Sequence, residues 1–251
     1  MGPNWDYQGF NFKELMEKVK KGYAMEVGPA CHFFMGGIKV NENCETRVPG
    51  LLAAGEVAGG THGANRLSGN ACTQIFVQGA RVGLSAAGYA KGADWIEPDK
   101  KQIAAIEQRL LSYLRNGDGP RPLKVRKELQ KVAWEKAGII REGRSLKEAL
   151  DWVRNLKRDT LPRLSTKATE RQYNREWIEA IQMESLVIIL EAIAQSALLR
   201  EESRGAHYRK DFKETKRDWV RNIILRNDRG EMRNSIYPIV ATRWKPEDGL
   251  R

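Results

Sequence analysis

Near residue 95 the chain changes its pattern, from short apolar runs broken by glycine to an apolar repeat of 3.6, and one architecture cannot satisfy both. Residues 22–93 hold Gly36-Gly37, Gly59-Gly60, Gly63, Gly69, Gly79, Gly83 and Gly88. Runs alternating with such turn signals read as an α/β segment. Val48-Pro49-Gly50 is a turn leading into Leu51-Leu52-Ala53-Ala54, a short buried-strand candidate that ends at Gly55-Glu56. From Asn70 to Ala90 small residues dominate, which predicts a close-packed helix rather than a solvent-facing one.

Beyond residue 100 the helical period takes over. Ile103, Ile106, Leu110 and Leu114 mark one amphipathic helix, and Leu129, Val132, Ala133 and Lys136 before Gly138 mark the end of a second. Ser145-Leu146-Lys147-Glu148 reads as a capping box opening a third, with Leu146, Leu150, Val153 and Leu156 on its apolar side. A fourth is expected from about Glu170 to Leu199. Helices joined by short linkers predict a small antiparallel bundle. From Tyr208 the chain is charged and loop-like, with Ile236 to Thr242 as a late strand candidate.

Charge follows the same division. The net charge of +11 sits almost wholly beyond residue 95: the first 95 residues carry 9 Lys+Arg against 8 Asp+Glu, the remaining 156 carry 34 against 24. These charges are interleaved along helical patterns and no basic–aromatic ladder accompanies them, so a solvated cationic surface is favoured over nucleic-acid binding. Three cysteines, Cys31, Cys44 and Cys72, share no metal or redox spacing, which fits a reduced, intracellular setting. The longest apolar stretch, Leu186 to Leu199, is interrupted by Glu191 and Gln195 and falls short of the roughly 20 residues a bilayer span needs. Residues 1–12 have no apolar segment typical of a signal peptide.

Three histidines mark the candidate chemistry. They stand in Cys31-His32-Phe33-Phe34-Met35-Gly36-Gly37-Ile38, Thr61-His62-Gly63-Ala64-Asn65-Arg66-Leu67 and Glu202-Ser203-Arg204-Gly205-Ala206-His207. No two share helical spacing and no carboxylate cluster joins them, so a metal site is not expected. A lone histidine is ordinarily structural, but glycine neighbours let a backbone approach a ligand closely. Gly69-Asn70-Ala71-Cys72-Thr73 opens an apolar helix whose N-terminus suits an anion or an electron-rich ring edge, although plain helix packing explains it equally well.

Residues 27–93 resemble the flavin-proximal segment of the succinate dehydrogenase/fumarate reductase flavoprotein family. The pattern His-x-x-Met-Gly-Gly-Ile, then Pro-Gly-Leu-x-Ala-x-Gly-Glu, then His-Gly-Ala-Asn-Arg-Leu-x-x-Asn occurs in order and spacing. Ala137-Gly138-Ile139-Ile140-Arg141 and the Ser145 helix resemble the family's C-terminal helical domain, and Glu202 to Phe212 the motif that follows. The resemblance implies an α+β fold, mainly α. A partial FAD-binding segment (1–95) would be followed by a helical bundle (96–206) and a tail with short strands (207–251).

Residue by residue, the resemblance makes His32 and Arg66 substrate-carboxylate ligands. It makes Glu56 the acid that contacts the FAD sugar portion, and places Gly37, Asn70, Ala71 and Cys72 along the isoalloxazine. The implied reaction is hydride transfer between flavin N5 and a bound dicarboxylate, interconverting fumarate and succinate. Arg204 and His207 read as interdomain, structural contacts rather than catalytic ones. No Gly-x-Gly-x-x-Gly follows a strand here, and the family's capping domain, its proton-donating Arg and the His that carries covalent flavin have no counterpart. The chain therefore reads as the C-terminal half of a longer flavoprotein, or as a split subunit that needs the other half to bind FAD fully.

Partners implied are that N-terminal half and an iron–sulfur electron-transfer subunit, with a cytoplasmic location that is peripheral to the membrane through such subunits. Phe33-Phe34 departs from the respiratory pattern. Gly59 to His62 and Asn70-Ala71 resemble the soluble branch of the family, whereas the tail resembles the membrane-complex branch. Two alternatives stand beside this reading: a non-catalytic docking module for electron-transfer subunits, and a family member acting on another acid such as aspartate or adenylylsulfate, or on a 3-ketosteroid-like alkene.

Overall fold

The computed structural model describes residues 6–7, 10–24, 31–115 and 117–239. The chain divides into two compact units, 1–34 and 35–251. In the first, strands β1 (Asp6–Tyr7) and β2 (Phe10–Asn11) pair antiparallel and run directly into helix α1 (Phe12–Lys20). Glu14 in its first turn and Lys18 and Lys20 in its last match the helix dipole, and Glu14 pairs with Lys18 one turn on.

Among the described residues the second unit is mainly helical, with short strands and no closed sheet. Its core lies where the 3.6 period predicted it. Helices α4 (Pro122–Ala137), α5 (Gly143–Asn155) and α6 (Arg175–Leu199) pack pairwise. Leu146, Ala149 and Val153 of α5 meet Ala180, Met183, Val187 and Ala194 of α6, all without solvent exposure, and Val125 and Leu129 of α4 close the third side. Each large side chain so buried contributes about 1.5–3 kcal/mol. Pro122 opens α4, where a missing N–H costs nothing, and Gly138 ends it.

The charges that interrupt the apolar run of α6 are accounted for. Glu191 is buried and paired with Arg154 at 3.4 Å and Lys157 at 3.2 Å, both reaching across from the preceding helical segment. Gln195 donates to Met232 O at 3.0 Å and fastens the C-terminal hairpin to the bundle.

Several boundaries differ from the sequence expectation. Helix α5 opens at Gly143, ahead of Ser145, and Glu148 pairs with Lys136 and Arg144 instead of closing a capping box. The Gly143 N–H is capped from elsewhere, by Asp211 at 2.9 Å. Helix α6 starts at Arg175 rather than near Glu170, because Asn174 accepts from Trp177 N at 3.0 Å while its amide donates to Ala168 O and Glu170 O.

Leu51 to Ala54 is not a strand. Only Leu52 bridges a neighbour, Glu45, before the chain enters the 3-10 turn Gly55–Val57. Helix α2 (Asn70–Gly92) is found, but it is exposed along most of its length: Phe76 is 76% and Leu84 78% exposed, and a side chain built at Gly79 or Gly83 would meet nothing. Small residues permit close packing, yet among the described residues only part of one face is covered, by the Gly55 turn against Gln74, Ile75 and Gln78 and by Gly50 beside Tyr89. Helix α3 (Lys100–Leu111) likewise buries no residue fully.

The tail is more regular than expected. Ile140–Arg141 (β3) pairs in parallel with Tyr208–Arg209 (β4), and β5 (Arg221–Asp228) pairs with β6 (Glu231–Pro238) as an antiparallel hairpin. Its two-residue turn, Arg229-Gly230, has φ of 53° and 90°, which matches strand twist, and Asn227 accepts from Gly230 N. The late strand therefore begins before Ile236 and ends at Pro238; residues 240–242 lie outside the described residues.

Candidate functional site

The candidate residues of the second unit collect around the N-terminus of α2. Gln74 and Gln78, one turn apart on that helix, reach back over the loop that precedes it. Gln78 Oε1 accepts from Gly55 N at 2.8 Å, while Gln74 Nε2 donates to Gly55 O at 3.0 Å and to Gln78 Oε1 at 3.1 Å. Gln78 Nε2 donates to Thr61 Oγ1, and Gln74 Oε1 faces His62 Nε2 at 2.7 Å. An amide oxygen only accepts, so Nε2 of His62 is the donor in this pair.

This clamp holds Glu56, the neighbour of Gly55, and the 61–66 loop against the start of the helix. Gln74 is 5% exposed. Sequence reasoning missed both glutamines. Their signal was there as two amides four apart in an otherwise apolar helix.

Gly37 is pressed against backbone. A Cβ there would lie 2.4 Å from Val57 O and 2.7 Å from Gly59 N, and Ile38 exchanges main-chain hydrogen bonds with Val57 and Gly59. Glu56 is exposed and Arg66 half-buried. At the tip of α2, Asn70 and Cys72 are exposed and Ala71 is half-buried. The N-cap is Gly69, without a side-chain cap, and no acidic residue stands in the first turn. Asn70 N and Cys72 N donate to the carbonyls of Leu67 and Gly69, which leaves the Ala71 N–H without an acceptor among the described residues. His32 is exposed and belongs to the first unit. Among the described residues no group of His, Cys, Asp or Glu is arranged to hold a metal ion.

The third motif is built on charge. Glu202 is wholly buried and accepts from Arg200 at 2.6 Å, from Arg204 at 2.9 and 3.0 Å, and from the Lys216 N–H at 2.9 Å. Burial opposes its ionisation, but the hydrogen bonds from Arg204, Lys216 N and Arg200 outweigh that and hold its carboxyl below the usual range. Buried Arg209 donates to the last carbonyls of α6, those of Ala197 and Leu198, and makes a two-pronged pair with Asp211 at 2.7 and 2.8 Å. Asp211 also caps α5. One ion pair thus places a cation at one helix C-terminus and an anion at another's N-terminus. The Arg209 guanidinium keeps the Asp211 carboxyl far below its ordinary value.

His207 accepts from Arg141 through Nδ1 at 2.9 Å and donates from Nε2 to Arg200 O at 3.2 Å. Burial pushes it down to about 4, so it is neutral near pH 7. The Arg204–His207 turn touches the site loop: Ala206 N donates to Ala64 O at 3.0 Å. Arg204 and His207 were expected to make structural contacts; which loop their turn reaches was not legible in the sequence.

Residues 6–72 match a family model described as FAD binding domain, and residues 126–249 match one described as Fumarate reductase flavoprotein C-term. A fumarate reductase (CoM/CoB) subunit of Methanothermobacter marburgensis is 42% identical over 201 residues, 80% of this chain and 36% of that protein. The fumarate reductase flavoprotein subunit of Mycobacterium tuberculosis is 34% identical over 236 residues, 88% of this chain and 39% of that one. A solved structure of Mycobacterium smegmatis Sdh1 in complex with UQ1 superposes with a TM-score of 0.82 at 31% identity, covering 94% of this chain and 42% of its own. The chain therefore spans well under half the length of the curated relatives it matches. FAD is the cofactor that the matched domain and the flavoprotein relatives support. With motifs, fold and both domain matches in agreement, the chain belongs to the fumarate reductase/succinate dehydrogenase flavoprotein family.

Proposed function

We propose that this chain supplies the flavin-proximal wall and the substrate-carboxylate ligands of an FAD-dependent oxidoreductase interconverting fumarate and succinate. The observation that carries the proposal is the clamp of Gln74 and Gln78, which joins the Glu56 turn, the His62–Arg66 loop and the tip of α2 into one assembly. The tip suits a flavin edge: it bears no side-chain cap and no acid in its first turn, and the Ala71 N–H takes no acceptor among the described residues. A helix N-terminus of this kind favours electron density placed against it.

Bound FAD supplies the hydride acceptor or donor. Gly37, Asn70, Ala71 and Cys72 would line its ring, and Glu56 would bind the sugar portion. Arg66 offers a planar fork, always charged, that fits a carboxylate at two points, and His32 adds a charge-assisted donor. Clamped carboxylates polarise the double bond between them and fix the reacting carbon. Fumarate is proposed as substrate because the relatives at 42% and 34% identity are named fumarate reductases.

In this reading residues 1–95 are the C-terminal segment of an FAD-binding domain, 96–206 a helical bundle domain and 207–251 a tail. The dinucleotide loop and capping domain come from the remainder of a longer flavoprotein or from a second polypeptide. An iron–sulfur partner exchanges the electrons, at the membrane periphery; among the described residues no helix is long and apolar enough to cross a membrane.

Absorbance between 350 and 500 nm (roughly the range where oxidised flavin absorbs) tests the proposal. The purified chain should be colourless, and adding the N-terminal half should restore bound FAD. Stoichiometric FAD on the isolated chain would overturn the divided-site reading. In the assembled enzyme Arg66→Ala should raise the dicarboxylate KM strongly and cut turnover, and unchanged kinetics would remove Arg66 from its role.

A further inference from the structure

The turn at Arg204–His207 is closed on itself: Arg204 N donates to His207 O at 2.8 Å and His207 N returns a bond to Arg204 O at 3.0 Å. Its base is fixed by the buried Glu202 carboxylate on one side and by Arg141 and the Arg200 carbonyl on the other. Its tip grips a loop that is remote in sequence. Ala206 N donates to Ala64 O at 3.0 Å, and Gly205, at φ +56°, lies so close that a Cβ would stand 2.4 Å from that carbonyl oxygen and 2.8 Å from the Ala64 Cβ. The His62–Arg66 loop is thereby pinned twice, by Gln74 at His62 and by this turn at Ala64. Arg66 follows the second pin by two residues.

We propose that the Arg204–His207 turn is a positioning element for Arg66, and that its grip on Ala64 sets where the guanidinium meets a substrate carboxylate. The inference rests on the carboxylate role proposed for Arg66 above. Two-point binding of a carboxylate needs the fork in register, and a misplacement of about 1 Å costs on the order of a hundredfold. A methyl group at position 205 forces a shift of that size, since ordinary contact begins near 3.4 Å and the available distance is 2.4 Å. Arg141→Lys is a gentler perturbation, because it removes the guanidinium that donates to His207 Nδ1, and to Ala137 O and Gly138 O, and inserts no atom.

The test is a titration of the FAD-loaded assembly containing this chain with malonate, followed by the change in flavin absorbance. Malonate carries two carboxylates and cannot form the alkene, so binding is read without turnover. Arg66→Ala should weaken malonate roughly a hundredfold. Gly205→Ala should weaken it about tenfold or more with FAD content unchanged, and Arg141→Lys about threefold. If the turn acts through Arg66, the double variants with Arg66→Ala bind malonate no worse than Arg66→Ala alone, to within about twofold. Losses that multiply would show a general structural role and overturn the proposal, as would an unchanged malonate Kd in Gly205→Ala.

Should Gly205→Ala fail to assemble with FAD, Arg141→Lys decides by the same criteria. Weakening by Arg66→Ala with no effect of either turn variant sinks this inference alone. No effect of Arg66→Ala sinks the carboxylate reading, and this inference with it.

Discussion

The helical bundle and the glycine-rich site region are held together by different forces. In the bundle, Leu146, Val153, Met183 and Val187 are wholly buried and stability comes from apolar area removed from water. Around α2, Gln74 is the only helix residue fully buried, and the loop before it is held by side-chain amides on main-chain groups. The apolar face of α2, with Phe76 and Leu84, meets no described partner. The bundle thus draws its stability from an apolar core, whereas the site region fixes its geometry by hydrogen bonds and leaves the face of α2 with Phe76 and Leu84 exposed. A core tolerates small adjustments among many contacts. A hydrogen-bonded clamp has few members, and losing one releases the loop.

The strongest way to break that comparison is through the bundle. Leu146→Ala should lower unfolding stability by about 2–5 kcal/mol, read as a shift in denaturant midpoint at constant slope. A smaller effect would mean the bundle is not the stabilising centre. Gln74→Ala is expected to cost about 1–3 kcal/mol, because the bonds that Gln74 makes to the Gly55 carbonyl, to Gln78 and to His62 are all lost. Hydrogen exchange should show faster exchange confined to residues 55–66; equal loosening of α5 and α6 would prove the two regions one cooperative unit.

A pH series sharpens the same contrast at their junction. His207 sits at about 4 when folded against an ordinary 6.5, so below pH 6.5 the unfolded chain takes up its proton first. Its contribution to stability is complete above pH 6.5 and is lost progressively as the pH falls toward 4. The melting temperature should decline across that window, and His207→Gln should remove that part of the slope. Glu202 and Asp211, held low, add their losses only at more acid pH. The smallest effect is expected at Phe76. Phe76→Ser should alter the stability of the chain alone by no more than about 0.5 kcal/mol, yet weaken recovery of FAD with the N-terminal half. A large loss in the isolated chain would show that the face is covered after all.

Legibility in the sequence followed the range of the forces. The apolar period of α5 named Leu146, Leu150 and Val153, and all three are buried, because the period reflects a local rule of helix geometry. Gly138 ended α4 where it was expected to. The capping box at Ser145 failed because the helix takes its cap from Asp211, 68 residues away. Leu51 to Ala54 failed as a strand because an apolar run does not supply its own ladder partner. The hairpin at Arg229-Gly230 was missed because Arg stood in a turn position where Asn or Asp is the usual signal. In the site, the motifs pointed to Glu56, Arg66 and Asn70 to Cys72, whereas Gln74 and Gln78 are read as a clamp only once the loop is folded over them.

By itself the sequence determined the family motifs, the positions of the bundle helices and the division of charge, since residue type and spacing act locally along the chain. Only the tertiary structure decided which groups meet at a distance: Asp211 at the start of α5, Arg209 at the end of α6, and Gly205 against Ala64 beside the Arg66 loop. Those contacts depend on chain closure over long separations, where direction and clearance of less than an ångström choose the partner.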